Sequence, residues 1–191
     1  MRKFKLSILL LSAVGLIIFT ACPKKEAAAP KGRTEISEPF SSNDYFTDAE
    51  FFRATGQGTS PNLSVARKIA ETNARRALAD EVQTKVKGVT DSYIQQRDIG
   101  DATEVSSKFE DLTRTVVNQE LQGAAIFDRK TFQEDDGKYT HYVAIQMPID
   151  PIKRGVQNQI SQDAKLRQDY DKAKFEEVFN DEMNKLKNEQ Q

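Results

Sequence analysis

The sequence holds one cysteine, one histidine and no tryptophan, and each scarcity excludes a class of site. A single thiol leaves no second cysteine for an internal disulfide. With His141 as the one imidazole and Cys22 as the one thiol, neither a cysteine–histidine nor a serine–histidine–acid site has its ordinary partners, and a zinc site would lack its usual ligands. We therefore predict a non-catalytic protein without a metal or cofactor, and interpret His141 as a strand residue.

Net charge is also small, with 28 basic and 29 acidic residues and a formal value of −1. Loss of the three basic residues among positions 1–21, where no acid occurs, would change it from −1 to −4. Nucleic-acid binding would need a local basic stripe to offset this mildly acidic field. The basic clusters are short, such as Arg75–Arg76, so no nucleic-acid partner is predicted.

The N-terminus has the order of an export signal. Met1–Lys5 is positively charged, Leu6–Phe19 is nearly all apolar, and small residues at Thr20 and Ala21 precede Cys22. The apolar run is shorter than the roughly 20 residues that a membrane-spanning helix needs. An uncleaved anchor or a buried helix are the alternatives, and both leave unexplained why the one cysteine ends this run.

The stretch Phe19-Thr20-Ala21-Cys22 resembles a bacterial lipobox, although Phe19 stands where leucine is usual. The resemblance implies a signal peptide over residues 1–21, cleaved before Cys22, and acyl chains on the Cys22 sulfur. Two or three such chains hold a protein firmly to a membrane. Pro23 after the lipidated cysteine, in place of aspartate, favours the outer membrane under the usual sorting rule.

Residues 22–44 predict a lipidated tether, since Pro23–Arg33 is rich in proline, alanine and charge and has no periodic apolar positions. Its basic residues could lie on anionic headgroups. A spacer that merely stays soluble is an equal alternative. Basic residues of this stretch are Lys24, Lys25, Lys31 and Arg33.

Tyr45–Thr59 predicts an opening strand with an irregular start. Gly56 and Gly58 could belong to a phosphate-binding loop, but a Gly-x-Gly without a third glycine or a following Lys-Ser/Thr is a weak signal. A turn at the end of the strand is the favoured interpretation. Ser60-Pro61 then predicts a helix start with proline in the first turn.

A long amphipathic helix is predicted from Asn62 to about Arg97, because apolar residues recur at steps of three and four. Its alanine-rich first half would allow close approach to a sheet or a second helix. Arg75–Arg76 could bind an anion, but charges on a solvated helix face are favoured. The apolar positions are Leu63, Ala66, Ala70, Ala74, Ala77, Leu78, Val82, Val86, Val89 and Tyr93, with Ile69 and Ile94 widening the stripe.

A second helix and a hairpin follow. Asp101–Glu104 has the form of a capping box, and the apolar stripe Val105, Phe109, Leu112 and Val116 predicts a helix that ends near Gly123. Ala124–Gln133 and Lys138–Met147 predict the two arms of a hairpin around an Asp-Gly turn. Glu134, Asp135 and Asp136 could bind a cation, but they lack the spacing of a calcium loop, so a solvated turn is favoured.

After Pro148 and Pro151, apolar residues recur at roughly helical spacing from Ile152 to Leu186, with an irregularity near Arg167. Residues 161–191 are dense in charged and amide side chains and predict a long polar C-terminal helix. It would either project from the body or pair with another helix.

Phe52–Val82 resembles the Lpp-twenty family of bacterial lipoproteins. The matching features are Ala54-Thr55-Gly56-Gln57-Gly58 at a strand end, followed by a helix with alanines in register. The domain of a flagellar assembly protein and some activators of cell-wall synthases share this strand–helix theme. The resemblance implies a long helix laid across a small antiparallel sheet, and no catalytic residues. The alanine register is Ala66, Ala70, Ala74 and Ala79, with Arg75 and Leu78.

We therefore expect an α+β fold, with about three antiparallel strands packed by long helices, over residues 45–160. The expected function is a non-catalytic interaction or structural module of the bacterial envelope, anchored by lipid at Cys22 on the periplasmic face or the cell surface, with a protein partner. A periplasmic activator of a cell-wall synthase is the alternative, and a small-ligand carrier or an enzyme ranks third.

Overall fold

The computed structural model describes residues 36–97 and 102–189. The predicted signal peptide, the lipidation site Cys22, most of the tether and the capping residue Asp101 lie outside these residues.

Three strands form one antiparallel sheet in the order β1–β3–β2. Strand β1 is Phe51–Ser60, β2 is Ala125–Gln133 and the central β3 is Tyr139–Pro148. The predicted α+β class is confirmed, since long helices pack against this small sheet. The opening strand begins at Phe51 and not at Tyr45, because Asn43–Tyr45 forms a 3-10 turn.

Helix α1, Leu63–Arg97, lies across one face of the sheet and confirms the predicted long helix. Asn62 is its N-cap, since the side-chain Oδ1 accepts the backbone N–H of Ser64 at 2.9 Å. Pro61 precedes the cap, so its predicted place in the first turn is wrong. The predicted stripe is buried from Ala66 to Tyr93, except that Ala77 points to solvent and Ile69, predicted to widen the stripe, is 38% exposed.

Gly56 and Gly58 lie inside β1 and face α1, so the predicted turn at the strand end is wrong. A Cβ on Gly56 would lie 2.4 Å from the backbone nitrogen of Ala74, and one on Gly58 would lie 2.4 Å from the carbonyl oxygen of Ala66. The strand and helix backbones therefore touch, which only glycine on one side and alanine on the other permit.

The predicted hairpin is confirmed, with β2 and β3 joined by a turn over Glu134–Lys138. Gly137 adopts a φ of 81°, in the left-handed region that favours glycine. Its N–H donates to the carbonyl of Glu134 at 2.9 Å, and the N–H of Glu134 donates to Lys138 at 2.8 Å. This is the three-residue loop with a left-handed last residue that often closes a hairpin.

Helix α2, Ala102–Glu120, ends in a 3-10 turn at Leu121–Gly123, near the predicted end. Helix α3 is Ile149–Gln162, the short α4 is Leu166–Asp169, and α5 is Lys172–Glu189. The predicted C-terminal helix is thus interrupted around Arg167, where the sequence shows an irregularity. Asp163 begins the interruption by accepting the N–H of Lys165 and of Leu166, each at 2.9 Å.

Helix α5 is polar on its outer side only, because its apolar side enters the core. Phe175 is fully buried and its ring centroid lies 5.5 Å from that of Tyr93 on α1. The Tyr93 hydroxyl also accepts the N–H of Asp171 at 2.9 Å, which fixes the start of α5. Of the two predicted alternatives, projection from the body and pairing with another helix, the structure shows pairing, with α1 as the partner. The other buried residues of α5 are Val178, Phe179 and Met183.

Candidate interaction surface

The sheet has a second face that none of the helices within residues 36–97 and 102–189 covers, and we call it the outer face. The strand register alternates the side chains, so the neighbours of the residues that contact α1 point to this side. A bulge between Ile126 and Asp128 turns Phe127 to the same side. The outer face consists of Arg53, Thr55 and Gln57 from β1, Phe127, Lys130 and Phe132 from β2, and Tyr142 and Gln146 from β3.

Residues 37–50, the cover segment, lie on part of the outer face. Phe40 is 6% exposed and holds a φ of 65°, an unusual value for a residue with a side chain. Its ring stands 4.6 Å from Tyr45, and the Lys130 ammonium lies 5.2 Å from its centroid. Packing of Phe40 between an aromatic ring and a cation therefore stabilises a backbone conformation that is otherwise disfavoured.

Tyr45 links the cover segment to β2. Its ring stacks on Phe127 with the centroids 5.7 Å apart, and its hydroxyl donates to Asp128 Oδ2 at 2.6 Å. This hydrogen bond is the main cause of a raised pKa for Tyr45 and a lowered pKa for Asp128, because it stabilises the protonated phenol and the ionised carboxylate together.

Arg53 lies beneath the cover segment and joins several of its groups. Its guanidinium pairs with Asp48, donates to the carbonyl of Phe46 at 3.0 Å and sits 5.8 Å from the Phe127 centroid. Burial acts to raise the pKa of Asp48, but the N–H groups of Glu50 and Phe51 and the Arg53 charge outweigh it, and that pKa is lowered. Arg53 thus serves the fold of this segment and is not free to bind an anion.

The rest of the outer face is open. Phe132 is 46% exposed and its ring meets the edge of Tyr142 at 5.8 Å, while Phe127 is 37% exposed. Between the start of the cover segment and the strands runs a shallow open groove. Its lining residues are Glu38, Pro39, Thr55, Gly56, Gln57 and Tyr142. Exposed aromatic groups beside polar ones are typical of a protein interaction surface.

The two edges of the sheet differ. On β1, the N–H of Arg53 donates to Thr47 Oγ1 at 3.1 Å, and the carbonyl of Gln57 accepts the Asn73 amide at 2.9 Å. Side chains thus occupy backbone groups that a further strand would use. On β2, all side chains from Arg129 to Gln133 are exposed, which leaves this edge accessible.

His141 lies within β3, as predicted, and faces α1. It is 2% exposed, and its Nδ1 lies 2.7 Å from Thr131 Oγ1. Burial, followed by the positive charges of Arg67 and Arg129, lowers the pKa of His141 and so favours the neutral ring.

The predicted acidic turn and the arginine pair are also placed. Glu134 and Asp135 are exposed, and Asp136 pairs with Lys138 across the turn, where that ammonium lowers the pKa of Asp136. Arg75 donates to the carbonyl of Leu121 at 2.8 Å and so connects α1 to the turn after α2. Within residues 36–97 and 102–189, no cluster of three or more metal-ligating side chains occurs.

A second groove opens where the end of α1 meets the start of α2. It is wide and shallow, and its surface is about equally polar and apolar. The groove is lined by Lys87, Asp91, Ile94, Gln95, Ala102, Thr103, Ser106, Ser107 and Glu110.

None of the described helices is long and apolar enough to cross a membrane.

Sequence reasoning missed the outer face, although β2 offers a signal for it. Phe127, Lys130 and Phe132 have polar neighbours, so neither side of β2 is consistently apolar, as expected of an exposed edge strand. The contribution of Phe40 and Tyr45 has no such local signal, since both stand in an irregular segment. Comparisons with protein-family models, with curated proteins and with solved structures find no match to this chain.

Proposed function

We propose that this chain is a bacterial envelope lipoprotein, held in the outer membrane by an acylated Cys22 and acting as a non-catalytic interaction or structural module. The observation that carries the proposal is the aromatic surface of the outer face, where Phe127 and Phe132 stay partly exposed and Phe132 packs against Tyr142. Aromatic side chains are enriched where proteins bind proteins.

Two features support the anchored arrangement. The apolar run Leu6–Phe19 followed by small residues and Cys22 matches the order of a lipoprotein signal. The cover segment overlaps the end of the predicted tether, and its first residues lie beside Thr55 and Gln57. The polypeptide thus enters the domain on the side where the aromatic residues are exposed.

Helix α1, lying across a small antiparallel sheet, also supports a relation to the Lpp-twenty family, since that arrangement is what the resemblance of Phe52–Val82 implies. Some activators of cell-wall synthases share the same strand–helix theme. Activation of such a synthase is therefore the second candidate function, to be distinguished by the partner that the outer face captures.

Lipidation is tested by growing a diderm bacterium that expresses the full chain with an alkyne analogue of palmitate. Wild type should incorporate the label and sediment with membranes, and Cys22→Ala should lose the label and the smaller processed form. Thr20→Ala, which keeps a small residue, should behave like wild type. Label on the Cys22→Ala protein, or none on wild type, contradicts the anchor.

The interaction surface is tested by placing a photocrosslinking amino acid at Gln57 or Tyr142 on the outer face, with Arg76 on the solvent side of α1 as the control. Adducts in cells should form at Gln57 and Tyr142 and be absent at Arg76. Adducts that form equally at all three positions contradict the proposed surface. A cell-wall synthase among the adducts would identify the activator function.

A further inference from the structure

Among the described residues, β2 is an edge strand, and one set of its backbone groups has no strand beside it. In β1, the backbone N–H and C=O groups of the odd-numbered residues point away from β3, as the hydrogen bonds at Arg53 and Gln57 show. The even-numbered residues of β1 therefore bond to β3, and the residues opposite them in β3 have odd numbers. The even-numbered residues of β3 therefore bond to the even-numbered residues of β2. The backbone groups of Arg129, Thr131 and Gln133 then point outwards.

Part of this edge is blocked within the chain. The N–H of Arg129 donates to its neighbour Asp128 Oδ1 at 2.7 Å, and the bulge at Ile126 distorts the strand before it. Thr131 and Gln133 follow in regular pairing with β3 and have exposed side chains. The stretch available to a further strand is therefore the second half of β2.

The charges along this stretch determine which strand fits. Basic Arg129 and Lys130 come before exposed Phe132, and acidic Glu134 and Asp135 follow it. A strand that runs antiparallel to β2 reverses this order. A second copy of β2 centred on Phe132 therefore sets Lys130 opposite Glu134 and Arg129 opposite Asp135. Asp128 and Asp136 would also be opposite each other, but each is already bonded within its own chain, Asp128 to Tyr45 and Asp136 to Lys138.

Three other antiparallel alignments of two copies place like charges together. Centring on Arg129 sets arginine opposite arginine, and centring on Lys130 sets lysine opposite lysine. Centring on Thr131 sets Asp128 opposite Glu134. An alignment centred on Gln133 also sets acid opposite base, but it places Thr131 opposite Asp135 in the turn, so β2 has no strand to pair with beyond Gln133. In an alignment centred between two residues, each residue whose backbone groups point towards the other copy would stand opposite one whose groups point back to β3. Such a pair of strands forms no hydrogen-bonded ladder.

We propose that two copies of this chain associate through β2, antiparallel and centred on Phe132, to form a continuous six-stranded sheet. Thr131 of each copy exchanges backbone hydrogen bonds with Gln133 of the other. On the outer face, the Phe132 rings lie opposite each other and Lys130 pairs with Glu134 of the second copy. The proposal stands on the folded domain and does not depend on the lipid anchor.

The association is tested on the chain from residue 22 onwards, with Cys22→Ser so that no lipid or thiol is present. Sedimentation equilibrium over protein concentrations up to several hundred micromolar should show a monomer–dimer equilibrium. Lys130→Glu should weaken it about tenfold or more, since two like-charged pairs replace two opposite ones. Combining Lys130→Glu with Glu134→Lys should restore it, and Arg76→Glu on α1 should leave it unchanged.

The alignment is tested by cysteine crosslinking in the same thiol-free background. Phe132→Cys should form a disulfide-linked dimer on mild oxidation, because opposed residues lie within the roughly 7 Å between Cα atoms that a disulfide allows. Lys130→Cys should not, since its two copies would be roughly 13 Å apart along the strands. Circular dichroism checks that each variant is folded.

Three results would overturn the proposal: a monomer at every concentration, a charge exchange that fails to restore association, or crosslinking through Lys130→Cys in preference to Phe132→Cys. Each can occur while Cys22 is still labelled with lipid and Gln57 is still crosslinked to a partner. Failure of the dimer is thus distinguishable from failure of the proposed envelope function.

Discussion

The two faces of the sheet are covered to different extents and by different kinds of contact. Towards α1, Gly56 and Gly58 meet alanines with no room for a further carbon atom. On the outer face, large aromatic rings and cations cover the strands incompletely, and Phe132 stays half exposed. On the α1 side, direct contact between strand and helix backbones holds the fold together. On the outer face, part of the aromatic surface stays exposed and is accessible to other molecules.

The sharpest test of this comparison removes one phenylalanine from each face. Phe52→Ala, which removes a fully buried ring on the α1 side, should lower the free energy of unfolding by about 4 kcal/mol, because it leaves a cavity in the core. Phe132→Ala should change it by less than about 0.5 kcal/mol. Urea unfolding at low micromolar protein, where association is negligible, measures both. Equal costs would contradict the contrast between the faces.

The second test adds a carbon atom at the closest approach. Gly56→Ala should destabilise the fold by about 3 kcal/mol, because its Cβ would overlap the backbone of Ala70 and Ala74, which can give way only by moving the helix. Gly88→Ala within α1 is the control, since its Cβ would meet nothing within 4 Å. That variant should be stabilised by up to about 1 kcal/mol through helix propensity. Thermal unfolding that shows no loss for Gly56→Ala refutes the contact.

A third test compares two phenylalanines of the cover segment. Phe40→Ala should cost about 2 kcal/mol, since it removes a buried ring that contacts Tyr45 and Lys130. Phe46→Ala should be nearly neutral, because that ring is 48% exposed. Limited proteolysis of the segment and denaturant unfolding report the two effects. Similar behaviour of the two variants would contradict the role assigned to Phe40.

The smallest effect concerns His141, which lies in the central strand β3 on the α1 side of the sheet. Its pKa is lowered from the ordinary 6.5 in the folded state, chiefly by burial. Stability from the neutral ring is thus complete above about pH 6.5 and is lost as the pH falls through that value towards the folded-state pKa, because the unfolded chain binds the proton first. Stability measured from pH 7 to 5 should fall less steeply for His141→Gln than for wild type. Identical slopes would exclude this contribution.

Local signals predicted the elements whose geometry is local. The hairpin follows from Asp136-Gly137, because a left-handed residue is needed where the strands reverse, and the structure places Gly137 there. The extent of α1 follows from apolar spacing that runs unbroken to Tyr93. Two errors fell at Tyr45 and Gly56, where the conformation depends on residues distant in sequence. The third, at Pro61, was a small shift in the start of α1.

By itself, the sequence determined the α+β class, the long helix, the hairpin and the scarcity of cysteine and histidine, since periodicity, turn chemistry and composition can be read without the fold. Tertiary structure alone decided that two glycines serve contact with a helix and that α5 buries its aromatic side. It also decided that one sheet edge is closed by side chains while the other stays open. Those outcomes depend on which distant surfaces meet, and no local pattern records that.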